Sequence, residues 1–285
     1  MTAAERREAQ VQAVNDAVQA LQRDGGWQRW LQARRNFRRY SLRNQLLIAC
    51  QRPDATQVMG FRPWLKFGRC VTKGEKAIRI LAPMPVKARN PITGEVALDE
   101  LGRPKKKLIF GLVPVFDIAQ THEIEVDDPL PFEPPAAPPM VGDEDDAATA
   151  ILRLTRWIDE LGWTLRTEPD EGQDYGGWCK AGDPVEVCVV DRGNRLEQLR
   201  VLVHECCHGL GVTSASHGRA NAEVIVEAAT CVVLQGLGVE STQSIPYIAG
   251  WGHNASGSLL DHLAAIDAVA RQLEDALAPA DPVPA

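Results

Sequence analysis

The chain has 285 residues, 45% hydrophobic and 24% charged, enough for two cores of ordinary domain size. No apolar run reaches transmembrane length, and the N-terminus Met1-Thr-Ala-Ala-Glu-Arg-Arg-Glu lacks a signal-peptide core, so a membrane span and secretion are excluded and a cytoplasmic location is expected. The net charge of −7 hides an asymmetry: residues 1–120 carry 22 Lys and Arg against 10 Asp and Glu, and the remainder carries 9 against 28. A cationic front half suggests a polyanionic partner. The seven cysteines include no CxxC pair, which leaves reduced, mostly buried thiols as the reading and argues against a zinc ribbon or a disulfide framework.

In chain order, Val11 to Leu21 reads as a helix, and Trp27, Trp30 and Leu31 mark another. Arg34-Arg35-Asn36-Phe37-Arg38-Arg39-Tyr40-Ser41-Leu42-Arg43-Asn44 follows. If that stretch is helical, Arg35, Arg39 and Arg43 align, Arg34 and Arg38 flank them, and Phe37 and Tyr40 interleave. Guanidinium groups for phosphates and rings for bases suit single-stranded nucleic acid. A solvated basic helix with its aromatics turned to the core fits the residues equally well.

Pro63 to Phe67 reads as a short helix ended by Gly68. Arg69-Cys70-Val71, a turn at Thr72–Glu75 and Ala77 to Leu81 read as a hairpin, Asn90–Gly94 as a second turn, and Leu108 to Asp117 as a strand. Residues 127–146 hold six prolines, seven acids and no base, the composition of a solvated linker. Ala147 to Leu161 is an amphipathic helix with Ile151, Leu154, Ile158 and Leu161 inward. Strands are expected at Thr164–Thr167 and Val185–Val190, a last helix at Leu259–Leu277, and a disordered tail over 278–285.

The most informative stretch is His204-Glu205-Cys206-Cys207-His208, an HExxH pattern. Residues four apart share a helix face, so both imidazoles can reach one metal ion, with Glu205 placed to deprotonate a water there. Asn194 is the expected N-cap; Gly209 and Gly211 offer stops. Three protein ligands leave a catalytic zinc one open position. The third ligand is expected to be Glu227, on a second helix from Asn221 to Leu237. Glu223, one turn earlier, is its rival, and His217 in the Val212–Arg219 loop is a weaker competitor. The strand ending at Val190 is the expected edge for an extended substrate. Tyr247 is the expected oxyanion donor, with packing against Trp251 as its alternative role.

Phe37-x-x-Tyr40-Ser41-x-x-Asn44-x-x-Leu47-Ile48-x-x-Gln51-x-Pro53-x-Ala55-Thr56 resembles the N-terminal domain of ArdC-type antirestriction proteins. The series continues through Val58-x-Gly60-Phe61-x-x-Trp64-x-x-x-Gly68-Arg69-x-Val71-x-x-Gly74-Glu75, Ile80-x-x-Pro83 and Val115-Phe116-Asp117-Ile118-x-Gln120-Thr121. To the rear it takes in His204, Glu205, His208, Glu227, Leu237-Gly238 and Tyr247-Ile248-Ala249-x-Trp251. The acidic second helix of that family often reads Glu-Ala-Glu-Ser-x-Ala; here Ile225 stands at the first Glu and Glu227 at the second.

The resemblance implies an α+β chain. It pairs a single-stranded-DNA-binding domain with a small antiparallel sheet (1–126) and, past the linker 127–146, a minimal zincin-like metallopeptidase domain (147–277). It implies a Zn2+ cofactor, peptide hydrolysis in DNA-associated proteins, and no membrane partner. Arg34, Arg35, Arg38, Arg39, Tyr40, Arg43, Asn44, Trp64, Arg69 and Lys73 are the expected DNA contacts. Two rival readings stand beside it: a DNA-binding or DNA-mimicking protein with a silent metal site, and a repressor-cleaving peptidase like the ImmA/IrrE group.

Overall fold

A computed structural model describes residues 3–21, 25–88, 95–98, 102–132, 141–239 and 259–278, which fall in two units, Met1–Pro135 and Ala136–Ala285. The front unit begins with α1 (Ala3–Leu21), α2 (Gly26–Phe37) and α3 (Leu42–Gln51). Apolar residues at helical spacing close these three around a core of Val14, Ala17, Trp27, Trp30, Phe37, Leu46 and Ile48. The chain then forms β1 (Val58–Met59), α4 (Phe61–Lys66), β2 (Arg69–Val71), β3 (Ile78–Lys87), β4 (Lys106–Asp117), a short 3-10 turn and β5 (Thr121–Glu123). β4 lies between β1 and β3, antiparallel to both, and β2 pairs with β5.

Side-chain hydrogen bonds tie these pieces together. Asp117 is buried and accepts from the backbone N–H groups of Thr56, Gln57 and Ala119 at 2.8, 2.9 and 3.0 Å. Gln120 accepts from Asp117 N and donates to Glu75 and to the Lys76 carbonyl. Asn44 donates to the carbonyl of Leu81 and accepts from its N–H, and Gln51 does the same for Arg79. Those two amides satisfy the outer edge of β3, which would otherwise offer open pairing groups. Residues that carry the sequence resemblance are thus largely ties that hold the fold.

Two expectations change here. Arg69–Val71 and Ala77–Leu81 do not form a hairpin, because β2 takes its partner from β5 and β3 takes its partner from β4. The turn remains, with Glu75 N donating to Thr72 O. The stretch expected as a linker packs at both ends. Phe132 stacks on Trp64 and Phe67 at centroid distances of 5.7 and 5.8 Å, and Val141 is buried with its N–H on Leu237 O. Asp143 caps the next helix through the N–H groups of Asp145 and Asp146, where acids also suit the helix dipole. The expected turn at Asn90–Gly94 is outside the described residues.

The rear unit runs α5 (Glu144–Glu160), β6 (Thr164–Pro169), β7 (Gly177–Lys180), β8 (Glu186–Asp191), α6 (Arg195–Gly209), α7 (Ser214–His217), α8 (Arg219–Gly236) and α9 (Leu259–Leu277). On α5, Leu154 and Ile158 are buried, while Leu161 lies past the helix end and is exposed. The sheet order is β6-β8-β7, with β6 parallel and β7 antiparallel to β8. β8 is therefore the central strand, with both edges already paired, and cannot be the substrate edge expected of it. Its run Val187-Cys188-Val189-Val190 is buried throughout, as a central strand beneath helices requires. Among the described residues no helix is long and apolar enough to cross a membrane.

Candidate metal centre

α6 starts where the Asn194 side chain accepts from Glu197 N at 2.9 Å. Leu199, Leu202, Val203, Cys206 and Cys207 are buried around it, so only a narrow polar strip remains. His204 and His208 lie on that strip with ring centroids 5.1 Å apart. Cys206 and Cys207 serve as small core residues between them. Burial pushes the Cys207 thiol up to about 12 and Cys206 well above its usual value, so both stay protonated at neutral pH.

α8 supplies the acids. His204 Nε2 is 3.9 Å from Glu223 Oε2, and His208 Nε2 is 3.8 Å from Glu223 Oε1. One ligand atom from each of His204, His208 and Glu223 lies within 4.8 Å of the others. Glu227 lies elsewhere: its Oε1 is 3.1 Å from His204 Nδ1, close but not aligned as a linear hydrogen bond. The expected ligand order is thus reversed, with Glu223 facing the shared point and Glu227 behind His204. The two acids are four residues, about 6 Å, apart along one helix face, so the axial placement of α8 against α6 decides between them. His217 joins no such group, its Nδ1 being 2.7 Å from Ser216 Oγ in the α7 turn.

The donor chemistry fits a divalent cation. His208 Nδ1 is 2.8 Å from the Val212 carbonyl, which can only accept, so Nδ1 carries the proton and Nε2 keeps its lone pair. Glu227 Oε1 lies beside His204 Nδ1 at 3.1 Å without that alignment. Two imidazole nitrogens and a carboxylate are donors that could hold a divalent cation. Burial opposes charge on His204, but Glu227, Glu205 and Glu223 outweigh it and raise its pKa.

Glu205 is 7% exposed, and burial raises its pKa against the pull of His204 and His208. It lies against β7, a strand the sequence reading missed. A Cβ built on Gly177 would sit 3.2 Å from Glu205 Cγ and 2.6 Å from both Val201 Cγ1 and Cys188 O. Only glycine lets β7 approach α6 this closely, and the Gly176-Gly177 pair was the available signal.

Among the expected DNA contacts, the helix breaks between Phe37 and Leu42, so Arg35, Arg39 and Arg43 form no single row. Arg35, Arg39, Arg43 and Lys73 are exposed, Arg38 is half-buried, and Arg34 is 2% exposed. Tyr40 packs edge-on against Phe37 at 5.6 Å and donates to Val58 O at 3.2 Å. Asn44 is engaged by Leu81. Trp64 is fully buried, with its indole N–H on Phe116 O at 2.9 Å. Arg69 is held by Thr121 Oγ1 at 2.7 Å and Glu123 at 3.2 Å. Tyr247 and Trp251 are outside the described residues.

Fold and site define a two-unit α+β chain whose rear unit carries an HExxH helix packed against an acidic helix. Residues 5–109 match the family of the N-terminal domain of anti-restriction factor ArdC. Two crystal structures of the antirestriction ArdC protein from plasmid R388 share the fold at 16% identity. The metal-free one gives a TM-score of 0.55 over 93% of this chain and 95% of that one. The Mn(II)-bound one gives 0.53 over 94% and 96%. The front segment thus matches the ArdC N-terminal domain family, and the chain as a whole shares the fold of R388 ArdC. An uncharacterized protein of Bacillus anthracis, pXO2-81, is 25% identical over 249 residues, which cover 76% of this chain. The chain spans 41% of the length of that relative.

Proposed function

We propose that this protein is a zinc-dependent peptidase of antirestriction type, acting in the cytoplasm on proteins associated with single-stranded DNA. The observation that carries the reading is the convergence of His204, His208 and Glu223 within 4.8 Å, with buried Glu205 on the next position of the same helix. The Mn(II) complex of R388 ArdC supports a divalent metal in this fold. His204, His208 and Glu223 would hold a divalent cation, which would supply Lewis acidity to water and to a peptide carbonyl.

The chain's own residues do the rest. Glu205 accepts the proton of the attacking water and returns it to the leaving amine; burial raises its pKa, which makes it the stronger base. The Val212 carbonyl fixes the His208 imidazole with Nε2 presented, and Glu227 lies 3.1 Å from His204 Nδ1, placed to do the same for His204 once a metal seats it. β7 is the edge strand beside α6, and its outer edge is where an extended peptide pairs by backbone hydrogen bonds. The cationic front unit brings the site to DNA-bound substrates.

The test is Glu205→Gln in the full chain, assayed on unfolded casein with and without single-stranded DNA. Cleavage is expected to fall by about 10²–10⁴-fold, with metal content and DNA affinity unchanged. Undiminished cleavage would remove Glu205 from the mechanism. An antirestriction effect in cells that survives Glu205→Gln would favour a DNA-binding protein with a silent metal site.

A further inference from the structure

β3 and β4 pair over ten residues, from Ile78↔Val115 to Lys87↔Lys106. β1 reaches β4 only at Phe116 and Asp117, so among the described residues the outer part, Pro83–Lys87 with Lys106–Phe110, is a ribbon of two strands. Strand alternation gives it two faces. One face continues the core through Ile78, Ile80 and Val115 and is closed further out by Met84. A Cβ on Gly111 would lie 2.7 Å from the Met84 methyl carbon, so the thioether fills the space of the missing side chain.

The opposite face carries Pro83, Pro85 and Lys87 across from Phe110, Leu108 and Lys106. Phe110 is 65% exposed and Leu108 is 72% exposed. Two large apolar side chains in one solvent-facing patch are a binding feature when charged groups rim them. On this face the rim is Lys87 and Lys106, both exposed. Neither strand carries an acid before Asp117, which is buried at the far end. The backbone beneath is fixed, with the Phe110 carbonyl accepting from Gln10 Nε2 at 2.9 Å. Prolines at 83 and 85 offer no N–H to a pairing strand, which disfavours edge-to-edge protein association there.

We infer that this outer ribbon face is a binding surface for single-stranded DNA, with a base stacked on Phe110 beside Leu108 and phosphates on Lys87 and Lys106. An exposed ring ringed by cations is the platform that unpaired bases recognise, and its charge complements only a polyanion. The inference rests on the DNA-binding reading above and moves the contact away from the Arg34–Asn44 segment, whose rings are engaged in the fold.

The experiment uses the full chain, fluorescein-labelled oligo(dT) and a matching duplex, with anisotropy titrations over a range of salt. Phe110→Ala is expected to weaken single-strand binding about tenfold at every salt concentration, and Phe110→Trp to restore it. Replacing Lys87 and Lys106 by Gln should flatten the log–log salt slope by about 1.4 units, at roughly 0.7 per phosphate contact. Thermal melts should be unchanged in all three, since the side chains replaced face solvent. Full affinity in both the Phe110→Ala and the lysine variants overturns the ribbon while leaving DNA binding standing; loss is then sought in Arg35→Gln/Arg39→Gln/Arg43→Gln. No binding by the wild-type chain sinks the DNA reading itself. Loss from the lysine variant alone, shared equally by duplex, overturns stacking on Phe110.

Discussion

The polar groups of the rear helix pair and the cations of the front unit are held in opposite ways. His204 and His208 are 17% and 19% exposed in their side chains, flanked by fully buried residues on α6, and each has its Nδ1 against a fixed oxygen. Arg35, Arg39, Arg43, Lys87 and Lys106 are exposed. A metal centre needs donor atoms fixed within a few tenths of an ångström. A phosphate backbone needs only charge within reach, because counterion release supplies the affinity. Burial is therefore a mark of chemistry in the rear unit and of architecture in the front one, where Trp64, Asn44 and Arg34 are the buried members of the expected DNA set.

Removing fixed groups should give the largest effects. Trp64→Ala is expected to cost about 3–5 kcal/mol of stability, read by denaturant unfolding. If Trp64→Ala folds as well as wild type and loses only DNA affinity, the assignment of Trp64 to architecture fails. Asn44→Ala should cost about 1–3 kcal/mol by stranding the Leu81 groups, again without a specific change in salt slope.

Metal content separates the two acids of α8. Glu227→Ala should weaken metal binding roughly 10–100-fold, the scale for a group that orients a ligand, and Glu223→Ala should weaken it further. Competition with a chromophoric chelator measures both; the reverse order would restore Glu227 as the ligand. Gly177→Ala should cost about 1–3 kcal/mol by overpacking β7 against α6 and should lower peptidase activity more than metal affinity.

The buried thiols predict a pH dependence. Cys179 and Cys207 are raised by burial from 9.0 to about 11 and about 12. The folded state prefers the neutral thiol, so this contribution is fully present below about pH 9 and is lost as pH rises through 11 to 12. Melting temperature should therefore hold to about pH 9 and then fall, and a flat profile to pH 11 would contradict it. The smallest effect is expected from Arg39→Ala, below about 0.5 kcal/mol, since the side chain is exposed.

What the sequence determined by itself is what one segment can dictate. The HExxH pair needs only five residues of one helix, and the Asn194 cap and the apolar positions of α6 made that helix legible. The α+β order, the last helix at Leu259–Leu277 and the mostly buried thiols were legible on similarly local grounds. Tertiary structure decided the rest. Whether Glu223 or Glu227 faces the histidines depends on how α8 is set along α6, which no periodicity records, since both acids lie on the same face. β2 chose β5 over β3, and β7 took the edge that β8 was expected to hold, because strand pairing is settled between distant segments competing for the same backbone groups. The arginine row failed for the same reason: the break between Phe37 and Leu42 lets Phe37 and Tyr40 reach the core and Asn44 reach Leu81, and packing of distant partners outweighs local helical continuity.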